Sequence, residues 1–279
     1  MNHKSLVLPA VVVASTLSLV GCGGGGGGGT VPAAPAAPEE ATNYQAQTLK
    51  VFSDDAGIAK IVDPDTGLKA YFLGPEAAGF VAEINANDGN ADDIIQSSFP
   101  ITNSSLPHAD IRSGTISSGG VTSNVTVFED RTAEAAVFYV DIPAASANFA
   151  LSLGSELTSI PAGTFNYVGT FGIANRSSGT QDVGTFNLTA DFDNGLVTSY
   201  TGTTSNTYTT NLSGTNLPMN TSTGEFSASN LTLTVGGYSG TATLYGAFSD
   251  DAAAGVHGVY ASNEADPTYG GAFAGHKIP

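Results

Sequence analysis

The stretch VGTFNLTADF, residues 183–192, restricts the fold more than any other part of this chain. Gly184, Phe186, Leu188, Ala190 and Phe192 alternate with Val183, Thr185, Asn187, Thr189 and Asp191. A period of two puts successive side chains on opposite faces, so this segment is a strand with one buried face and one wet face. Asp193-Asn194-Gly195 follows it, and Asn-Gly accepts the positive φ that tight hairpin turns require. TATLYGAF, residues 241–248, repeats the alternation with Ala242, Leu244, Gly246 and Phe248 on the apolar side.

Carried along residues 163–279, the pattern predicts eight strands, near 164–174, 183–192, 195–202, 206–213, 224–235, 240–249, 255–261 and 269–276. Eight short strands joined as hairpins can close into a barrel, whose interior is filled by side chains or holds one small ligand. Phe186, Leu188, Leu244, Phe248 and Phe273 fall on its inner face. Glycines such as Gly169, Gly184 and Gly258 suit sharply coiled strands in a narrow barrel. In EFSASNLTLTV the apolar phase slips between Ala228 and Leu231, which predicts a bulge. No stretch carries the 3.6-residue period of an amphipathic helix. The chain reads as all-β, with a C-terminal eight-stranded antiparallel β-barrel over 161–279.

A smaller β-rich module precedes it over 44–160. LKVF, GIAKIV, LKAYFL and GFVAEI read as four short strands, and VTSNVTVFED with EAAVFYVDI as a later hairpin. Between them the polar segment from Asn85 to Arg112 reads as a long loop, and loops of that length are binding loops or mobile segments. The ligand-contact candidates His108 and Arg112 stand on it.

Residues 1–22 form a different kind of segment. A short basic start, His3 and Lys4, leads into the apolar run LVLPAVVVASTLSLV and then Gly21-Cys22. At about 15 residues the run is short of the roughly 20 needed to span a bilayer, and it has the layout of a secretory signal. Cys22 is the only cysteine, so no internal disulfide is available to it. Leu19-Val20-Gly21-Cys22 resembles the bacterial lipobox. That resemblance implies cleavage before Cys22, lipidation of its sulfur and acylation of its new amino group. Seven glycines and then TVPAAPAAPEE follow, a flexible and then a stiffer tether over 23–43 that would hold a folded unit off a membrane surface. Gly23 stands where lipoproteins retained in the inner membrane carry Asp, which implies the outer membrane.

Charge removes several partners. With 25 acidic against 8 basic residues the formal net charge is −17. Phosphate recognition needs basic patches, so nucleic acid is not an expected partner, and neither is an anionic lipid surface beneath the folded domains. Motifs for catalysis are also missing: G-x-S-x-G, H-E-x-x-H, C-x-x-C and the P-loop do not occur. The expectation is a non-enzyme without a cofactor. Asp88, Asn90, Asp92 and Asp93 supply hard oxygen atoms for calcium, but the glycine of an EF-hand is replaced by Asp93 and its closing Glu is missing. They are expected to be a solvated loop. His257 and His276 alternate out of phase with Val256, Gly258 and Tyr260, and with Phe273 and Gly275. Both are expected to face solvent.

The last forty residues carry a resemblance. Gly240 to Phe248, then Gly255-Val256-His257-Gly258-Val259-Tyr260, then Gly271-Ala272-Phe273-Ala274-Gly275-His276-Lys277 follow in order. They resemble the closing strands of the transferrin-binding-protein-B-like β-barrel lipoproteins, and GTFNYVGTFGIANRSSGTQDVGTFNLTADFDNG resembles the opening hairpin. The resemblance spans about 115 residues and places the N-terminal module where that family has a β-rich handle domain. It implies an outer-membrane, cell-surface, lipid-anchored protein that captures a solute or a host or environmental ligand for uptake, iron- or haem-related in some members. An outer-membrane receptor would then be a partner. In size the chain is closest to one lobe or to the single-barrel relatives. The rival class is a lipid-anchored adhesion or protein-interaction module without a small-molecule ligand.

Overall fold

The computed structural model describes residues 39–40, 50–53, 58–62, 69–73, 101–103, 106–118, 121–133, 135–142, 147–155, 157–175, 178, 180–263 and 268–279. Nine strands form one antiparallel sheet: β1 (Glu39–Glu40), β2 (Lys50–Ser53), β3 (Ile58–Val62), β4 (Lys69–Leu73), β5 (Ile101–Asn103), β6 (Ala109–Ser118), β7 (Val121–Asp130), β8 (Ala135–Ile142) and β9 (Ala147–Gly154). Their spatial order is β1-β2-β3-β4-β9-β8-β7-β6-β5. The chain meanders as far as β4, crosses to the far edge at β5, and meanders back until β9 pairs with β4, Tyr71 opposite Ser152.

LKVF, GIAKIV, LKAYFL, VTSNVTVFED and EAAVFYVDI correspond to β2, β3, β4, β7 and β8. GFVAEI lies outside the described residues, and β1 falls within the stretch read as tether. One expectation is corrected. The segment from Asn85 to Arg112 is not loop to its end, since it contains β5 and the start of β6. All ten residues of β6 pair with β7, from Ala109 opposite Asp130 to Ser118 opposite Val121. The neighbouring strand supplies backbone hydrogen bonds that the polar sequence of β6 does not advertise.

The remaining strands are β10 (Thr164–Asn175), β11 (Gln181–Asp191), β12 (Leu196–Thr204), β13 (Thr210–Pro218), β14 (Glu225–Val235), β15 (Tyr238–Ser249), β16 (Gly255–Ser262) and β17 (Tyr269–Lys277). They form the expected closed antiparallel barrel, sealed where β10 pairs with β17, Phe171 opposite Phe273. Gly195 has φ 63° in the turn between β11 and β12, and the register of β14 against β15 shifts between Ala228 and Leu231. β13 begins later than the sequence suggests. The buried carboxylate of Asp182 accepts hydrogen bonds from the backbone N–H groups of Thr207 and Tyr208, both at 3.0 Å, and these tie residues 206–208 into a turn.

The barrel is filled by its own side chains. Phe186, Leu188, Leu244, Phe248 and Phe273 are buried within it. Phe171 stacks on Tyr260 with ring centroids 5.1 Å apart, and Phe273 meets Phe186 at 5.2 Å. Rings fit at this density because they lie against glycines. A Cβ on Gly202 would stand 2.4 Å from the Phe171 ring, and one on Gly258 2.5 Å from the Phe273 ring. This is why the barrel sequence pairs glycine with aromatics.

The outer wall of β10, β15, β16 and β17 forms a second core with the sheet. Ala174, Ala247, Val259, Ala261, Ala272 and Ala274 pack with Phe128, Val137 and Tyr139. Small wall residues let the sheet approach closely: a Cβ on Gly172 would lie 2.1 Å from the Tyr139 hydroxyl oxygen. Every residue of β16 is buried, its inner face by the barrel and its outer face by the sheet.

Candidate functional site

That double burial changes the reading of two histidines. His257 and His276 do point out of the barrel, as their phase requires, but into the seam under the sheet and not to solvent. His257 is 0% exposed, and its Nδ1 is hydrogen-bonded to Ser152 Oγ of β9 at 3.1 Å. Ser152 is equally buried. A substrate cannot reach this Ser–His pair, so its role is to satisfy two polar groups within the seam. The usable sequence signal was the apolar character of Val259 and Ala261, which share the outward phase of His257.

His276 near the end of β17 donates from Nδ1 to Asp130, with both carboxylate oxygens at 3.0 Å. The side chains are 13% and 0% exposed. Asp130 sits at the end of β7, and its Oδ1 also accepts the backbone N–H groups of Thr132 at 2.8 Å and Ala133 at 3.0 Å. A carboxylate held this way fixes the orientation of the imidazole it accepts from. His108 completes the cluster, its ring edge-on to His276 at a centroid distance of 5.5 Å. Burial first, and then the His276 ring, hold the pKa of His108 below its ordinary 6.5. Arg131 acts in the same direction and Asp130 in the opposite one. Arg131 fastens the turn that carries His108. Its Nε donates to Asp110 at 2.8 Å, its Nη2 to the Ala109 carbonyl at 2.9 Å, and its backbone N–H to the His108 carbonyl at 3.1 Å.

Arg112 stands on β6 and forms an ion pair with Glu129 of β7, Nε to Oε2 at 2.6 Å. Opposite it on the edge strand β5 is Ile101. At 50% exposure Ile101 is the exposed large hydrophobic residue among the described residues. His108, Arg112 and Ile101 therefore belong to one end of the sheet, the β5–β6 edge. Among the described residues no group of three or more His, Cys, Asp or Glu side chains is placed to hold a metal ion. Cys22 and the Asp88, Asn90, Asp92 and Asp93 set lie outside the described residues.

The segment between sheet and barrel is fastened at the same end of the barrel as His276. Thr158 and Ser159 donate to Asp251 at 3.1 and 2.7 Å, Ser155 donates to Asp250, and Lys277 Nζ donates to the Ala252 carbonyl at 2.7 Å. Sequence reasoning singled out neither aspartate, since both read as ordinary turn residues.

The fold is similar to three solved structures of bacterial binding proteins. A double mutant of transferrin binding protein B from Haemophilus parasuis Hp5 aligns at 13% identity and a TM-score of 0.48, over 82% of this chain and 53% of that one. Isotype 1 transferrin binding protein B from serogroup B Neisseria meningitidis aligns at 12% identity and a TM-score of 0.41, over 83% and 58%. The N-lobe domain of lactoferrin binding protein B from Moraxella bovis aligns at 11% identity and a TM-score of 0.34, over 87% and 98%. The chain spans about half the length of the two transferrin binding proteins. No model of a known family matches the sequence, and no curated protein matches it significantly.

Proposed function

We propose that this protein is a lipid-anchored ligand-capture protein of the outer-membrane surface, built from an anchor at Cys22, a tether over 23–43, a sheet module over 44–160 and a barrel over 161–279. The barrel interior is occupied by its own aromatic rings, so a ligand is bound outside it. The contact zone is the β5–β6 edge, with His108 and Arg112 as polar contacts. The observation that carries this reading is Ile101, half-exposed on a short edge strand directly opposite Arg112. An apolar side chain on a sheet edge beside an arginine suits recognition of a partner, and Arg is enriched where partners meet.

The test is native mass spectrometry of full chain purified from its own cells, wild type beside Ile101→Glu. A co-purified solute or protein that disappears in the variant, at an unchanged melting temperature, is the expected result. Full retention by the variant would move the contact zone elsewhere. A wild-type protein carrying nothing through gentle purification would remove the capture reading.

A further inference from the structure

The outer barrel wall over β11–β14 and the first residues of β15 carries an ordered side-chain array used by neither the seam nor the β5–β6 edge. Thr185 of β11 stands opposite Thr203 of β12, which stands opposite Asn211 of β13. Asn211 in turn faces Thr234 of β14, and Thr234 faces Ser239 of β15. Two residues along each strand, the same registers align Asn187, Thr201, Ser213, Thr232 and Thr241. All ten are exposed or half-exposed.

None of the ten is charged, in a chain with 25 acidic and 8 basic residues. The acidic residues of these five strands lie elsewhere: Asp182 is buried, and Asp191 and Glu225 stand at strand ends. Exposed faces built only for solubility intersperse charges of both signs. Strand propensity explains the threonines, but it disfavours asparagine, and Asn187 and Asn211 stand in the rows nonetheless. Each row is about 19 Å long across five strands and the rows are about 7 Å apart. Hydroxyl and amide groups both donate and accept hydrogen bonds, and side chains this short lose little rotamer freedom on binding.

We propose that the two rows bind a neutral polysaccharide laid across β11–β15. A chain of uncharged sugars presents repeated hydroxyls that also donate and accept, so each pairs with a row residue in either direction. The remaining surface, at a formal net charge of −17, repels an anionic polymer. A basic protein would seek the carboxylates that the rows lack. Strand addition is closed along the rows, because the barrel is closed and the row residues of β11–β15 pair with one another across it. The inference needs neither the Cys22 anchor nor the β5–β6 edge, so it stands or falls separately from the capture reading.

The experiment is affinity electrophoresis of the full chain in native gels containing hydroxyethylcellulose, dextran or galactomannan, with alginate as the anionic control. At least one neutral polymer should slow the wild type, and alginate should not. Thr201→Glu with Thr203→Glu should weaken the retardation about tenfold at an unchanged melting temperature. Thr201→Val with Thr203→Val keeps the shape and the charge but removes the hydrogen bonds, and should weaken it as well. No retardation by any of the three polymers, equal retardation by alginate, or unimpaired variants would each overturn the proposal. So would sedimentation showing a dimer that the same substitutions dissociate, which would assign the rows to self-association.

Discussion

Ser152 Oγ and His257 Nδ1 lie 3.1 Å apart and join β9 of the sheet to β16 of the barrel, with both side chains fully buried. Two residues along β9, Gly154 lies against the same imidazole, and a Cβ there would stand 2.3 Å from its Cδ2. The seam is therefore a close-packed joint whose polar centre has no room to move.

Gly154→Ala should cost about 1–3 kcal/mol, the usual effect of forcing extra volume into a packed core. Urea denaturation measures it. An unchanged midpoint would mean that the His257 ring has space to retreat and that the joint is loose.

Leu244 is fully buried on the inner face of β15. Leu244→Ala should cost about 2–5 kcal/mol, because the surrounding aromatic rings cannot collapse onto the space left. A loss under about half a kcal/mol, too little for a buried leucine, would contradict the filled interior.

Gly172→Ala tests the other side of the seam, where the added methyl would meet the Tyr139 hydroxyl at 2.1 Å. The substitution should be destabilising in the wild type and clearly less so in a Tyr139→Phe background, which removes the clashing atom. A double-mutant cycle reads the difference directly. Equal costs in both backgrounds would separate the two residues.

His108 should make the fold acid-sensitive. Its pKa is lowered from 6.5 in the folded protein, chiefly by burial and then by His276. As pH falls through 6.5 the unfolded chain takes up a proton at this site while the folded chain does not. Stability is lost across the window from 6.5 down to the folded value, and levels off below it. Melting temperatures of wild type and His108→Gln, followed from neutrality to about pH 5, should show the wild type losing more. Parallel curves would show that His108 titrates alike in both states.

Cys22→Ala should shift the protein from the membrane fraction to the soluble one, because it removes the sulfur that would carry the lipid and with it the multiple-chain anchor. Fractionation followed by immunoblotting decides the matter. Full retention of the variant in membranes would end the anchor hypothesis.

The barrel was legible because strands such as β11 and β12 alternate a buried and a wetter face, and β14 even showed its bulge as a slip of phase at Ala228 and Leu231. β13 was misplaced because TYTTNLSGT offers no apolar rhythm; its start is set from outside by Asp182. β6 was read as partly loop for a related reason, since its pairing is dictated by β7. The histidines show a different limit. Phase correctly sent His257 and His276 out of the barrel, but outward on these two strands means beneath the sheet. The partners that define the cluster, Asp130 and His108, are separated from His276 by well over a hundred residues, and no local spacing joins them.

The pairing of β10 with β17 ties the first barrel strand to the last. β17 also supplies Ala272, Ala274 and His276 to the wall beneath the sheet. One strand thus completes both units: it closes the barrel against β10 and lines the seam beneath the sheet. Neither the barrel nor the docked sheet can reach its finished form without that strand. Pulling β17 away would unzip the barrel and unroof the seam in one event, so the two units are expected to lose their shape together and not in turn.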